Sequence, residues 1–200
     1  MSNSKSIYKH IPNALTISRF VLIPFILGCI INNNYIGAFV SLTISGITDI
    51  LDGFIARKYN FITNFGKVVD PLADKATQVS ILAVLALKGI IPMWILITVF
   101  LKEFIMVAVA SFLYGKDLVV ASSWYGKLTT VLFYLAIVSS FAIDYWNSFA
   151  NKPENSVAAL PKFDIYIYYL AIVFAIFSLI MYSISYHKKG YLTKENLKIK

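Results

Sequence analysis

Two consecutive apolar stretches decide how this chain folds: YIGAFVSLTISGITDILDGF at residues 35–54 and VVDPLADKATQVSILAVLAL at residues 68–87. Each has close to the ~20 residues with which an α-helix crosses a bilayer. Each also holds two aspartates at helical spacing, Asp49 with Asp52 and Asp70 with Asp74. The pattern predicts two membrane helices, each with an acidic face.

The composition of the whole chain agrees with membrane helices. Of its 200 residues, 58% are hydrophobic and 14% are charged, and the mean hydropathy is +0.72. These values exclude a soluble globule, a disordered chain, a collagen and a coiled coil. The single cysteine, Cys29, excludes an intrachain disulfide.

Apolar runs of bilayer length recur along the chain. We predict an all-α integral membrane protein with six transmembrane helices in one domain over residues 1–200, with a short polar segment at 1–12 and a basic tail at 187–200. The predicted spans are residues 14–31, 35–54, 68–87, 90–114, 123–143 and 163–186. Turn-forming residues separate them at 32–34, 57–66, 89–92, 115–122 and 144–162.

The positive charges fix the predicted orientation. With the N-terminus inside, fifteen of the 18 Lys and Arg residues fall on the inner side, and three, Lys88, Lys152 and Lys162, fall on the outer side. The positive-inside rule therefore places both termini in the cytoplasm. The net charge of +8 then marks cytoplasmic helix ends, and no nucleic-acid partner is expected.

The four aspartates of the second and third spans need a compensating function. An ionised Asp near the middle of a membrane helix costs about 2.5 to 3.5 kcal/mol on insertion scales. The two helices are consecutive and antiparallel, so Asp49, Asp52, Asp70 and Asp74 are expected to converge just below the cytoplasmic interface. Such a cluster suits two divalent ions, Mg²⁺ or Mn²⁺, and a two-metal carboxylate site suits phosphoryl chemistry.

Small residues and a cation surround the acidic cluster. Gly53 removes a side chain where a ligand approaches the helix, Ala56 is small, and Arg57 provides a bidentate donor for a phosphate. Close helix packing alone also explains Gly53 and Ala56. Their position beside four aspartates favours the ligand-binding interpretation.

The segment as a whole resembles a known family signature. Written out, it is Asp49-x2-Asp52-Gly53-x2-Ala56-Arg57-x8-Gly66-x3-Asp70-x3-Asp74, eight specified residues over 26 positions. It matches at every position the signature of the CDP-alcohol phosphatidyltransferases, membrane enzymes of phospholipid synthesis. The resemblance implies that Asp49, Asp52 and Asp70 bind metal, and that Asp74 is both a ligand and the base that activates the acceptor hydroxyl. It also implies that Gly53, Ala56, Arg57 and Gly66 hold the CDP moiety.

The resemblance also implies a reaction. The acceptor hydroxyl attacks the phosphorus that bears diacylglycerol in CDP-diacylglycerol, and CMP leaves. Because no Ser or Cys with an adjacent His falls in the motif, we expect direct transfer without a covalent enzyme intermediate. The runs at residues 11–19, 70–75 and 126–130 are similar to the phosphatidylglycerophosphate synthases of the family, whose acceptor is glycerol 3-phosphate. Residues 49–57 and 182–189 also resemble its cardiolipin synthases, whose acceptor is phosphatidylglycerol. The likeness further implies a homodimer in a bacterial cytoplasmic membrane, with the site facing the cytoplasm.

Further polar residues are candidates for substrate binding. Asn13, Thr16 and Arg19 recur at helical spacing, the first two toward the CDP-lipid and Arg19 toward the acceptor, although an interfacial helix entry gives the same stripe. Lys127 and Lys102 are predicted to bind the acceptor phosphate. For Lys102, a structural ion pair with Glu103 is the alternative. The phosphatidylglycerophosphate synthases usually carry a second Lys where Thr129 stands and an Arg where Lys102 stands, which leaves the acceptor open.

Two non-catalytic functions are alternatives to an enzyme. A cation transporter places its acidic site near the midplane, within helices that recur in related halves. This chain shows no internal repeat, and its aspartates are predicted near the interface. An inactive lipid-binding protein is disfavoured because all four aspartates are present.

Overall fold

The computed structural model describes residues 11–58, 64–114, 124–151 and 158–188. All regular secondary structure in these ranges is helical, as predicted. The helices of the described ranges are α1 (Ile11–Ile31), α2 (Tyr35–Lys58), α3 (Asn64–Leu87), α4 (Met93–Tyr114), α5 (Trp124–Ala150) and α6 (Asp164–Lys188). Each predicted span corresponds to one of these helices.

The apolar character of the helices supports a membrane protein. Within the described residues, α5 and residues 164–185 of α6 are long and apolar enough to cross a bilayer, and shorter apolar helices cover residues 17–31 and 35–51. Large apolar side chains such as Val21, Phe25 and Ile50 are mostly exposed, as lipid-facing residues are. Six membrane spans and the side on which the termini lie remain predictions.

The helices form two compact units, the first from residues 1–90 and 138–161, the second from residues 91–137 and 162–200. In the first unit α1 packs against both α2 and α3. Its buried core includes Ile26 and Ile30 of α1 and Leu82 and Leu85 of α3. The arrangement brings the arginine of α1 beside the two helices that carry the aspartates.

The predicted turn at residues 32–34 is present and joins α1 to α2. Asn33 adopts a left-handed conformation with φ 57°, which asparagine tolerates and which ends helices. The side-chain oxygen of Asn34 accepts a hydrogen bond from the backbone N–H of Gly37 at 2.9 Å and caps α2. This tight turn makes α1 and α2 antiparallel neighbours.

Lys88, directly after α3, forms hydrogen bonds to the same turn. Its Nζ donates to the carbonyl oxygen of Ile30 and to Oδ1 of Asn33, both at 2.6 Å, and lies 5.5 Å from the ring centre of Tyr35. A cation at the C-terminus of α1 is favourable because the helix dipole is negative there. The contact fixes α3 against the α1–α2 pair at the end of the unit away from the aspartates.

The end of α3 also follows prediction, but the end of α5 does not. Gly89 has φ +70° and closes α3 in the conformation that favours glycine. The loop predicted from residue 144, by contrast, is helical as far as Ala150. The prediction was wrong because the side chain of Asn147 pairs with the backbone of Leu160, accepting at 2.7 Å and donating at 3.1 Å. Its polarity is thus satisfied within a helix.

Aromatic contacts hold the described part of the second unit. α4 packs on α6, where the rings of Trp94 and Tyr169 stack at 5.6 Å. Tyr125, at the start of α5, meets Tyr182 edge to face at 5.2 Å. A Cβ at Gly126 would lie 3.0 Å from the hydroxyl oxygen of Tyr182, so glycine permits this close approach.

Candidate active site

Three helices of the first unit bring one arginine and two aspartates together. Nη1 of Arg19 on α1 lies 2.7 Å from Oδ1 of Asp49 on α2 and 2.6 Å from Oδ1 of Asp74 on α3. At a rise of 1.5 Å per residue, the three residues lie about 12 to 15 Å along their helices from the ends that α1, α2 and α3 share. We call Asp49 and Asp74 the acid pair.

Burial differs sharply between the cation and the acid pair. The side chain of Arg19 is only 2% exposed, whereas those of Asp49 and Asp74 are 40% and 42% exposed. The guanidinium therefore holds the carboxylates from inside the unit, and the carboxylates face outward. A ligand from outside reaches the aspartates and not the arginine.

Electrostatics explains how the arginine is accommodated. Two carboxylates brought to one nitrogen repel each other, and the charge of Arg19 offsets part of this repulsion. Ion pairing with Asp49 and Asp74 accounts for a buried arginine in an apolar segment. Both carboxylates are also partly exposed, and carboxylate oxygens are ligands that divalent ions bind.

The other predicted metal ligands lie one helical turn away. Asp52 on α2 and Asp70 on α3 belong to the described helices, but their side chains lie outside the described part of the structure. The side chains predicted to hold the CDP-lipid are outside it as well: Asn13, Thr16, Gly53, Ala56, Arg57 and Gly66. Within the described residues no group of three Asp, Glu, His or Cys is placed to hold a metal. The convergence of all four aspartates therefore stays a prediction, and that of Asp49 with Asp74 is observed.

The residues predicted to bind the acceptor differ in their contacts and in their exposure. Arg19 contacts the acid pair, which the sequence interpretation did not foresee. Lys102 on α4 is buried and its Nζ donates to Oε1 of Glu103 at 2.7 Å, so the alternative of an ion pair is present in the structure. Lys127 on α5 is exposed, and its role toward an acceptor stays a prediction.

Thr129 on α5, where the resemblance left the acceptor open, is turned to its own helix. It is 1% exposed and its hydroxyl donates to the carbonyl oxygen of Tyr125 at 2.9 Å. The residue therefore offers neither a charge nor an accessible hydroxyl at this position. Any cationic acceptor pocket in this chain has to be built from other residues.

One signal for the arginine contact was present in the sequence. An arginine within an apolar helix needs an anionic partner, and the aspartates of the next two helices are the acidic residues nearest in sequence to Arg19. Gln78, one turn beyond Asp74, was not singled out, yet it is 1% exposed. Its amide nitrogen has no hydrogen-bond partner in the described structure.

Comparisons with known proteins cover nearly the whole chain. The family model described as CDP-alcohol phosphatidyltransferase matches residues 9–187. A CDP-diacylglycerol–glycerol-3-phosphate 3-phosphatidyltransferase of Mycoplasma genitalium is 32% identical over 93% of this chain and 88% of its own length. The protein of the same name from Mycoplasma pneumoniae is 29% identical over 92% and 90%. A probable CMP-forming cardiolipin synthase of Drosophila melanogaster is 41% identical, over 48% of this chain and 30% of its own length.

Proposed function

Because the chain belongs to the CDP-alcohol phosphatidyltransferase family, we propose that it transfers the phosphatidyl group of CDP-diacylglycerol to glycerol 3-phosphate and releases CMP. The observation that carries the choice of acceptor is the similarity to the Mycoplasma genitalium synthase, which extends over 93% of this chain and 88% of that protein. Glycerol 3-phosphate is the acceptor in the name of that relative.

We propose that the acid pair helps to hold a divalent metal ion for this reaction. Oxygens from two helices approach one cationic nitrogen at 2.6 and 2.7 Å, so they already converge on a position for positive charge. Carboxylate oxygens open to water are the donors that Mg²⁺ and Mn²⁺ prefer. We infer that Asp49 and Asp74, with Asp52 and Asp70, hold two such ions, which when bound neutralise the pyrophosphate of the CDP-lipid.

The aspartates have further tasks in the transfer. A new bond forms between the acceptor oxygen and the phosphorus that bears diacylglycerol, and the bond from this phosphorus to the oxygen of CMP breaks. The hydroxyl proton goes to a carboxylate oxygen of Asp74, which is 42% exposed and so reachable by an acceptor. Arg19 fixes Asp74 from inside by its contact to Oδ1. Arg57, at the same end of α2, is proposed to bind the diphosphate.

The proposed acceptor site is tested at Lys127. A small acceptor that carries a phosphate needs a cation, and Lys127 is exposed near the start of α5. Lys127→Ala is expected to raise the KM for glycerol 3-phosphate by about tenfold or more, since a charge-assisted hydrogen bond contributes about 1.5 to 3 kcal/mol. The dissociation constant for CDP-diacylglycerol should change little. Steady-state kinetics and CDP-lipid binding on the purified protein measure both quantities.

The matched control for Lys127 is Lys162→Ala, an exposed lysine of the same unit that the sequence places on the outer side. It should leave both constants unchanged. If Lys127→Ala keeps the parent KM, or weakens CDP-lipid binding to the same extent, Lys127 does not bind the acceptor.

A second candidate function is cardiolipin synthesis, with phosphatidylglycerol as the acceptor. Two observations favour it: the similarity to the Drosophila melanogaster protein and the buried, uncharged Thr129. The similarity covers only 48% of this chain, so we place this function second.

We also propose six membrane spans, with both termini and the acid pair toward the cytoplasm of a bacterial cell, and a homodimer. The distribution of the 18 basic residues supports the orientation, and the length and apolar character of α5 and α6 support membrane spans. A reporter enzyme active only in the cytoplasm, fused after residue 200, should be active. Activity of a periplasm-specific reporter at that position would contradict the orientation.

A further inference from the structure

Arg19 occupies the position where the acid pair is best placed to hold a cation. A single nitrogen, Nη1, lies 2.7 Å from Asp49 Oδ1 and 2.6 Å from Asp74 Oδ1. A divalent ion shared by the same two carboxylates would seek the same oxygens, because these are the atoms that converge. The guanidinium and a metal ion would therefore compete for the same two carboxylate oxygens.

We propose that Arg19 is a built-in competitor of the divalent cation at the acid pair, and that it lowers the metal affinity of the site. The proposal rests on the metal-dependent function proposed above and assigns to Arg19 a role other than acceptor binding alone. It follows from charge and position: Arg19 adds one positive charge beside the metal and uses one oxygen of each carboxylate.

The expected size follows from Coulomb's law. Even in a dielectric like water, a unit charge and a divalent ion about 4 Å apart repel each other by more than the free energy of a tenfold change in affinity. Inside the protein the effective dielectric is lower and the repulsion larger. Removing the charge of Arg19 should therefore tighten metal binding by about tenfold or more, provided that the carboxylates stay in place.

The test is direct binding of Mn²⁺ to the purified full-length protein in detergent, followed by the electron paramagnetic resonance of free Mn²⁺, without nucleotide or lipid substrate. Arg19→Met should bind Mn²⁺ about tenfold or more tightly than the parent. Arg19→Lys, which keeps the charge, should stay within about threefold of the parent, since the repulsion follows the charge. Lys88→Met is the matched control: it removes a cation that contacts α1 at the far end of the same unit, and should leave the affinity unchanged.

Stability supplies a second readout if Arg19→Met folds poorly. Without Arg19 the acid pair has lost its contacts to the guanidinium at 2.6 and 2.7 Å, so the melting temperature in EDTA should fall. Added Mn²⁺ should raise the melting temperature of the variant by more than it raises that of the parent, because a tighter ligand stabilises more. Arg19→Gln provides the same comparison with a polar side chain.

The outcomes separate the two proposals. If the parent binds Mn²⁺ and Arg19→Met binds it equally or more weakly, Arg19 does not compete and the proposal is overturned, while the metal-dependent function stands. The same holds if Arg19→Lys and Arg19→Met tighten binding equally, or if Mn²⁺ raises the melting temperature of the variants no more than that of the parent. If neither the parent nor Arg19→Met binds Mn²⁺, the proposed metal site itself fails.

Discussion

Asp74→Asn is expected to lower kcat for CMP release by about 10³-fold or more, while the dissociation constant for CDP-diacylglycerol changes by less than about tenfold. General base catalysis contributes about 10² to 10⁴ in rate, and an amide of the same size accepts no proton at neutral pH. The amide oxygen can still accept a hydrogen bond from Arg19, whose Nη1 lies 2.6 Å from Asp74 Oδ1. Binding should therefore suffer less than turnover.

Two measurements check this expectation, single-turnover release of CMP and equilibrium binding of the CDP-lipid. Asp144→Asn is the matched control, because it makes the same chemical change in the same unit on a helix that does not carry the acid pair. It should keep the parent kcat. Parallel losses of binding and turnover in Asp74→Asn would mean that Asp74 only ligates metal.

Removal of metal should have an equally large effect. In the parent, EDTA is expected to reduce CMP release to the background rate, and Mg²⁺ or Mn²⁺ should restore it, because four carboxylates without divalent ions repel the pyrophosphate. Asp52→Asn and Asp70→Asn should reach the same background rate even with saturating Mg²⁺. A radiolabelled CDP-diacylglycerol assay measures the rates.

The aspartate variants test the ligands of the proposed metal site, and the chelator tests whether the reaction needs the metal. Asp144→Asn should remain sensitive to EDTA and fully active with Mg²⁺. Full activity of Asp52→Asn or of Asp70→Asn would show that the residue is not a ligand of the proposed metal site. Full activity in EDTA would show that the reaction needs no divalent metal.

Much of the fold was predictable because its signals are local. Apolar runs of bilayer length located the six helices of the described residues, and residues such as Asn33 and Gly89 marked the ends of α1 and α3 through conformations that few other residues adopt. The end of α5 was not predictable from local sequence. There the polar Asn147 remains helical because it binds Leu160, thirteen positions away along the chain.

In the candidate site, too, local sequence predicted some features, whereas others depend on contacts between helices. Helical spacing and the short connection between α2 and α3 predicted that Asp49 and Asp74 meet, and their common contact to Arg19 shows that they do. The role of Arg19 depends on the packing of α1 between these helices, which sequence spacing does not give. Because a lone arginine in an apolar segment is energetically costly, its presence in α1 does indicate an anionic partner on a neighbouring helix.

The most direct test of the proposed function is the identity of the acceptor. Purified protein is supplied with CDP-diacylglycerol and Mg²⁺, and the release of CMP and the lipid products are followed with glycerol 3-phosphate or with phosphatidylglycerol as the acceptor. We expect phosphatidylglycerophosphate as the product and a kcat/KM for glycerol 3-phosphate at least about 10²-fold higher, since a cationic site for a terminal dianionic phosphate pairs less well with the esterified, singly charged phosphate of phosphatidylglycerol. Faster CMP release with phosphatidylglycerol, with cardiolipin as the product, would contradict the proposed acceptor.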